Sequence, residues 1–253
     1  MLVRIVQDGK CHNSDFFHGN KDINMSWDVV LVSDARNNLL RNITINAIRS
    51  AGGQTNVIVV ESNKNVGYEH AKVIYPNVPF NYNRYLNIGA NEGNGDYIFF
   101  GNNDLIFTAG WATELSNAMN EFQVDSASPV CPYIHSFYDI NIHSGVYEGN
   151  NLFTRFCGWA FAWRRTLYEQ VGGLDESFSF WCSDNCTIEQ LIRLEKNHIL
   201  VTSSIVHHLA RGRNTLRFSN AVIKKAYTIL ETKKFNKLFG KDWRVDLTPL
   251  YKL

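Results

Sequence analysis

Three short polar clusters in this sequence could build a binding site: Ser33-Asp34, Glu61-Ser62-Asn63 and Asn102-Asn103-Asp104. Each follows an apolar run of strand length, DVVLVS, VIVVE and YIFF respectively. Any one of them is also ordinary turn chemistry, because Asn, Asp and Ser close turns well. Three in order, each at the carboxyl end of a buried strand, mark a site for a polar ligand, since open α/β sheets bind beyond those ends. The five cysteines, at 11, 131, 157, 182 and 186, offer less. They are odd in number, widely spaced and form no CxxC pair, which argues against a zinc ribbon and for reduced thiols in a cytosol-like compartment. Cys182 and Cys186 would face each other on a helix, but no further ligands accompany them.

The elements that must position these clusters alternate between strands and helices, as expected of an α/β fold with a mainly parallel sheet. Strands are expected at Asp28–Ser33, Val57–Glu61 and Tyr97–Phe100, with further ones at Ser126–Pro132, Phe156–Trp163 and Ile199–His207. Helices are expected over Asn38–Ala51, Asn83–Asn94, Trp111–Phe122, Arg165–Val171, Thr187–Lys196 and Ala221–Phe239. In the first of these, Leu39, Leu40, Ile43, Ala47 and Ile48 fall on one face, and Gly52-Gly53 ends it. Tyr133 to Phe153 reads as a long polar loop. Residues 1–26 read as an N-terminal extension, with Leu2–Val6 an extra strand or flap. The 253 residues, 45% apolar and 13% aromatic, suit one domain with a sizeable core. Met1 to Asn20 has no long apolar run, so no secretory signal is expected, and no run is long enough to span a bilayer. A cytoplasmic protein is expected, with a peripheral place at a membrane, or a host cytoplasm if the protein is viral, as the alternatives.

Charge is unevenly spread. From His207 to Leu253 there are eleven Lys and Arg against three acids, a surplus of eight, so in a chain of net charge +1 the remainder carries −7. A basic tail, residues 216–253, on an acidic body suggests a polyanion: a nucleotide diphosphate, DNA or an anionic membrane surface. Its helix has Val222, Ala226, Ile229 and Leu230 on the expected apolar face, with Tyr227 and Phe235 available to lipid. A solvated basic helix accounts for the charge equally well.

Three longer blocks carry a resemblance. NRYLNIGANEGNGDYIFFGNND resembles the central block of family 2 inverting glycosyltransferases of the GT-A fold, with Asn102-Asn103-Asp104 as a variant of their D-x-D motif. FCGWAFAWRRTLYEQVGGLDESF resembles that family's small-Gly strand, basic pair, helix and G-G-x-D-E turn. VHHLARGRNT resembles its late strand ending in His. Together they cover roughly residues 28 to 215, in the family's order.

The resemblance implies a single GT-A-like domain that moves a sugar from a nucleotide-sugar donor, most simply a UDP-sugar, to a hydroxyl of a glycan or glycoconjugate. It implies a divalent cation, Mn²⁺ or Mg²⁺, because charge develops on the leaving diphosphate and a hard cation wants oxygen ligands. Asp104 would be a ligand, and His207 is expected to complete the shell in preference to His208, since only one of two neighbours in a strand faces a site. An imidazole suits Mn²⁺ better than Mg²⁺. Asn102 and Asn103 would lie against the donor; Ser33, Asp34 and Glu61 would meet its base and ribose, and Arg84 a phosphate. Gly158 would leave room for the donor sugar, and Trp159 would stack on sugar or acceptor. Arg211 and Arg213 would close over the phosphates. Asp184 is the implied general base. It departs from the usual pattern, since Ser183 stands where the family has Glu and Cys186 where it has an acid. Asp184 is also a candidate helix N-cap, while Asp175 and Glu176 read as turn acids. Two other functions compete: a viral or phage type enzyme glycosylating modified DNA bases, and an inactive sugar-nucleotide-binding module. A nucleotidyltransferase is disfavoured, because SDARNNLL has no glycine-rich basic loop after the first strand.

Overall fold

The computed structural model describes residues 3–7, 10–14, 25–138, 140–143, 145–152, 154–209 and 221–240, with the backbone alone for 3–7, 10–14 and 221–228. In chain order the strands are β1 (Val3–Gln7), β2 (Lys10–Ser14), β3 (Trp27–Ser33), β4 (Thr55–Glu61), β5 (Lys72–Ile74), β6 (Tyr97–Asn102), β7 (Leu105–Phe107), β8 (Ser126–Val130), β9 (Val146–Glu148), β10 (Ala160–Arg164) and β11 (His198–His208). The helices are α1 (Asn38–Ala51), α2 (Tyr82–Ala90), α3 (Trp111–Glu121), α4 (Pro132–His135), α5 (Arg165–Val171), α6 (Ser183–Arg193) and α7 (Ala221–Phe239). The stretch expected to be one loop, Tyr133 to Phe153, thus contains most of α4 and all of β9.

Alternating apolar residues explain the layering. Val29, Leu31, Val57, Val59 and Phe99 point to one face of the sheet and pack with Ala47 and Ile48 of α1 and Trp111 and Leu115 of α3. Val30, Val60, Ile98 and Phe100 point to the other face, against Leu86 of α2 and Leu167 of α5. Burial on both faces is why these strands read as unbroken apolar runs. In α1, Asn37 caps the N-terminus by accepting from Leu40 N at 3.0 Å, and Gly52 ends it at φ +94°. Leu39, expected on its apolar face, is exposed instead.

The sheet runs β2-β1-β9-β11-β8-β10-β6-β3-β4-β5, with β7 pairing to β11. It is mixed, not mainly parallel: five strand pairings are parallel and five antiparallel. Between β11 and β5 in this order the reversed strand is β10, which pairs antiparallel with both β6 and β8. No crossover helix leads into β10, so it is entered from the edge where β6 ends. The residues just before β10, Gly158 and Trp159, therefore share that edge with Asn102 to Asp104.

A buried ion pair locks the parallel half. Asp28, 1% exposed, bonds Arg165 Nη2, Gly95 N and Asn56 Nδ2, each at 2.7 Å. A Cβ on Gly93 would fall 2.3 Å from the Asp28 carboxylate, which explains the glycine there. Asp28→Ala would leave the Arg165 charge without its partner, so we expect it to cost about 3–5 kcal/mol in urea denaturation.

The basic tail is described only from 221 to 240. Val222, Ala226 and Tyr227 have no described side chains, and Arg211 and Arg213 lie outside the described residues. Ile229 and Leu230, expected on the buried face of α7, are 44% and 65% exposed. Glu231 and Phe235 face inward instead, and Phe235 packs 5.9 Å from Phe178, so it is not available to a lipid surface. Among the described residues no helix is long and apolar enough to cross a membrane.

Candidate active site

β6 ends at Asn102, and the polar residues beyond it divide between two tasks. Asn103 turns inward, its Nδ2 donating to Thr44 Oγ1 at 2.8 Å and Ser33 Oγ at 3.2 Å. Ser33 Oγ also lies 3.1 Å from Thr44 Oγ1 and 3.3 Å from Tyr68 Oη. Glu61 is fully buried, and its carboxylate accepts from Asn63 N at 2.7 Å, Ala35 N at 3.1 Å and Tyr68 Oη at 2.7 Å. Ser33, Glu61 and Asn103 thus form an interior net that ties the loops after β3 and β4 together. The reading that placed Glu61 against ribose is corrected by this geometry, because its carboxylate faces the loops and not solvent. Asp34 is nearer the surface, ion-paired to Arg36 at 2.5 Å.

Asn102 and Asp104 face a different group. Tyr82 Oη donates to Asn102 Oδ1 at 2.8 Å, which turns the amide nitrogen toward His208 Nε2 at 3.2 Å. An amide nitrogen only donates, so in this contact Nε2 is the acceptor. That same Nε2 lies 3.2 Å from Asp104 Oδ1, a buried oxygen with no hydrogen-bond partner among the described residues. The carboxylate oxygen and the imidazole nitrogen thus face each other across 3.2 Å. Buried polar atoms are almost always satisfied, and a cation is one partner that would satisfy this oxygen.

The residues fit a divalent cation on this count. Two ligand atoms each about 2.1 Å from a small cation, at a right angle, stand about 3.0 Å apart. No group of three His, Cys, Asp or Glu forms a metal cage among the described residues. Two protein ligands suit a cation that completes its shell with water and substrate phosphates.

His208, not His207, occupies this position. β11 pairs antiparallel with β7, so that His208 lies opposite Leu105 and His207 opposite Ile106. Side chains alternate along the strand, and Val206, fully buried, shares the face of His208. Trp159 stacks on the imidazole, centroids 4.7 Å apart and planes 3° from parallel, and is 7% exposed. Its indole face is therefore used by His208 and not by a sugar. Cys131 Sγ accepts from His208 N at 3.5 Å, and Asp104 O accepts from Leu209 N at 2.9 Å, which fixes the strand end.

Asp184 enters from α6. The helix begins at Ser183, four residues before the expected start, and its N-cap is Cys182 at φ +62°. Asp184 is therefore inside the first turn and is not the cap, which removes the capping alternative. A Cβ on Gly158 would stand 2.5 Å from Asp184 Cβ and 2.8 Å from its Oδ2. The space at Gly158 thus belongs to Asp184, where the sequence suggested the donor sugar. Crowding by protein raises the Asp184 carboxyl from the usual carboxylate range to about 6, against hydrogen bonds from its own and the Asn185 backbone that lower it. Gly158→Ala is expected to push Asp184 out of place and, because overpacking typically costs about 1–3 kcal/mol, to lower the melting temperature.

Tyr82, which sequence reasoning missed, joins Asn102 to the Gly158 edge through its hydroxyl. Its hydroxyl also reaches Gly158 O at 3.5 Å, and burial followed by the Asp104 and Asp184 charges raises its pKa far above that of a free phenol. No sequence signal singled it out, whereas the alternation from buried Val206 could have picked His208.

The Asn residues of α2 serve the turn before α6. Asn81 Nδ2 donates to Glu176 O, Asn83 Nδ2 to Asp175 O, and Asn87 Nδ2 to Leu174 O, at 2.7–2.8 Å. Arg84, expected on a phosphate, pairs with Glu176 at 2.7 Å and belongs to this anchor. Asp175 accepts from Ser177 N at 2.7 Å, closing the turn. Cys182 and Cys186 are buried, unlinked thiols packed with Phe178 and Phe235.

No family model matches the chain, and no curated protein matches it. Among solved structures the chain is similar to one described as GalNAc-T7 with UDP, GalNAc and Mn²⁺, at TM-score 0.56 and 13% identity. The alignment covers 74% of this chain and 44% of that one, so the chain spans less than half of that protein's length. The fold is that of the GT-A glycosyltransferases in its mixed central sheet flanked by helices; the likeness does not single out family 2.

Proposed function

We propose that this protein is a glycosyltransferase that takes a sugar from a nucleoside diphosphate donor, a UDP-sugar, and passes it to a hydroxyl of a glycan or glycoconjugate. The observation that carries the reading is the pair of facing ligand-type atoms, Asp104 Oδ1 and His208 Nε2, 3.2 Å apart, with Asp184 packed against Gly158, next to the Trp159 that stacks on His208. The GT-A fold and a solved relative in that fold holding UDP and Mn²⁺ agree with it.

In this reading Asp104 and His208 hold a divalent cation, Mn²⁺ by the imidazole, which when bound offsets the charge gathering on the departing diphosphate. Asn102 orients His208, and Trp159 holds the ring flat. The acceptor oxygen attacks the anomeric carbon while the bond from that carbon to the diphosphate oxygen breaks, its electron pair leaving with the diphosphate. Asp184 takes the acceptor proton. A carboxyl poised near 6 is ionised at neutral pH and yet basic enough for this, which is the balance that general-base catalysis favours. In this reading the acceptor attacks from the face opposite the leaving diphosphate, so the configuration at the anomeric carbon inverts. Retention of Asp184 in a crowded, prepared position also argues for an active enzyme over a binding module.

The test is release of nucleoside diphosphate from UDP-, GDP- and dTDP-sugars with Mn²⁺, Mg²⁺ or EDTA. Turnover of a UDP-sugar that needs the cation supports the reading. Absence of turnover with every donor, by folded protein, rejects it.

A further inference from the structure

We propose that α7 is a latch that positions Asp184, working through Glu231 on the turn before α6; this rests on the role of Asp184 given above. Glu231 is 9% exposed, on a helix whose neighbouring Leu230 is 65% exposed. Its Oε1 accepts from Ser179 Oγ at 2.6 Å and Ser179 N at 2.9 Å. Its Oε2 is buried without a hydrogen-bond partner among the described residues. Burying a carboxylate is costly, and an apolar side chain would dock a helix better. What Glu231 supplies and an apolar residue cannot is two strong acceptor bonds to one residue.

That residue is placed to matter. Ser179 O accepts from Tyr82 N at 2.8 Å, so Ser179 is clamped between α7 and the first residue of α2. Three residues on, Cys182 holds a left-handed conformation that a non-glycine residue keeps only under outside restraint. Two more lead to Asp184. Other α7 contacts fall on the same turn: Lys234 donates to Ser177 O and lies 4.8 Å over the Phe178 ring, Phe235 packs on Phe178, and the Thr232 hydroxyl reaches the Cys182 thiol. The turn that carries the base is thus held from both sides, by α2 through its asparagines and by α7 through Glu231. Glu231 is a positioning residue and touches no reacting atom.

The test compares full-length wild type with Glu231→Leu, Glu231→Gln and Ser179→Ala. Three quantities are read: UDP affinity with Mn²⁺, kcat and KM for UDP-sugar hydrolysis, and deuterium exchange of amides 177–186. Glu231→Leu should lower kcat by at least about 10-fold, as expected for a misplaced base, with UDP affinity within about 2-fold. Exchange in 177–186 should quicken while that of β3 and β6 stays as in wild type. Glu231→Gln keeps an acceptor and should restore kcat to within about 3-fold. Ser179→Ala removes one bond without altering α7 and should fall between, which keeps the proposal testable should Glu231→Leu fail to fold. Wild-type kcat in Glu231→Leu, or unchanged exchange in 177–186, overturns the latch. If wild type turns over no nucleotide sugar, the proposed function fails by itself, and the exchange comparison still decides the latch.

Discussion

The Asp184→Asn variant should bind UDP and Mn²⁺ as wild type does and turn over a nucleotide sugar more slowly by a factor on the order of 10² to 10⁴, the usual contribution of a positioned base. The amide fills the same space beside Gly158 and cannot take a proton. Cys182 and not Asp184 holds the N-cap position of α6, and Asn can keep the bond that Asp184 Oδ1 accepts from Asn185 N at 2.9 Å, so the substitution should not lower stability. A rise is the expected direction at pH 7. The folded carboxyl titrates near 6, above its range in the unfolded chain, so its contribution to stability is present below the unfolded value and lost as pH rises through about 6. Above that pH the folded state holds a crowded charge, and the amide relieves it. The same titration gives wild-type kcat a rising limb with midpoint near 6, active above and inactive below, which the variant should lack. Melting temperature and rate for both proteins between pH 5 and 8 check all of this. Wild-type turnover by Asp184→Asn would remove Asp184 as the base.

Asp104→Ala carries the other large effect. It removes the orphaned oxygen beside His208 and the only carboxylate of the pair. We expect Mn²⁺-dependent UDP binding to disappear, leaving the weak affinity that wild type shows in EDTA. Stability should change little, because Asp104 Oδ1 has no hydrogen bond to lose and the backbone bond from Leu209 N to Asp104 O remains. Titration calorimetry with Mn²⁺ and with EDTA separates the outcomes. Equal, cation-dependent affinities for the two proteins would show that Asp104 is not a ligand.

The strands at the heart of the fold were legible because burial on both faces makes them unbroken apolar runs, and Asn102 to Asp104 could be placed at a strand end for the same reason. What the sequence hid follows from contacts between distant residues. The reversal of β10 leaves no mark in its own composition, AFAWR, and decides that Gly158 and Trp159 share an edge with Asn102 to Asp104. Glu61 and Asn103 have the residue types of a site, yet Tyr68 and Thr44 claim them for the interior. Gly158 was read as space for a sugar because glycine records that a side chain would clash, not with what. The start of α6 was set too late, since a left-handed Cys182 is not a usual capping signal. On α7 the apolar residues pointed to one face and the docking surface uses another, around Glu231 and Phe235.

In the proposed function Asp104 and His208 jointly hold the cation that meets the donor diphosphate. Crystals grown with UDP and Mn²⁺, with anomalous data collected to locate manganese, test it most directly. The account predicts one manganese peak bonded to Asp104 Oδ1 and His208 Nε2 and to diphosphate oxygens, with His207 turned away. Bound UDP with manganese absent from that position, or bonded to other side chains, would contradict it.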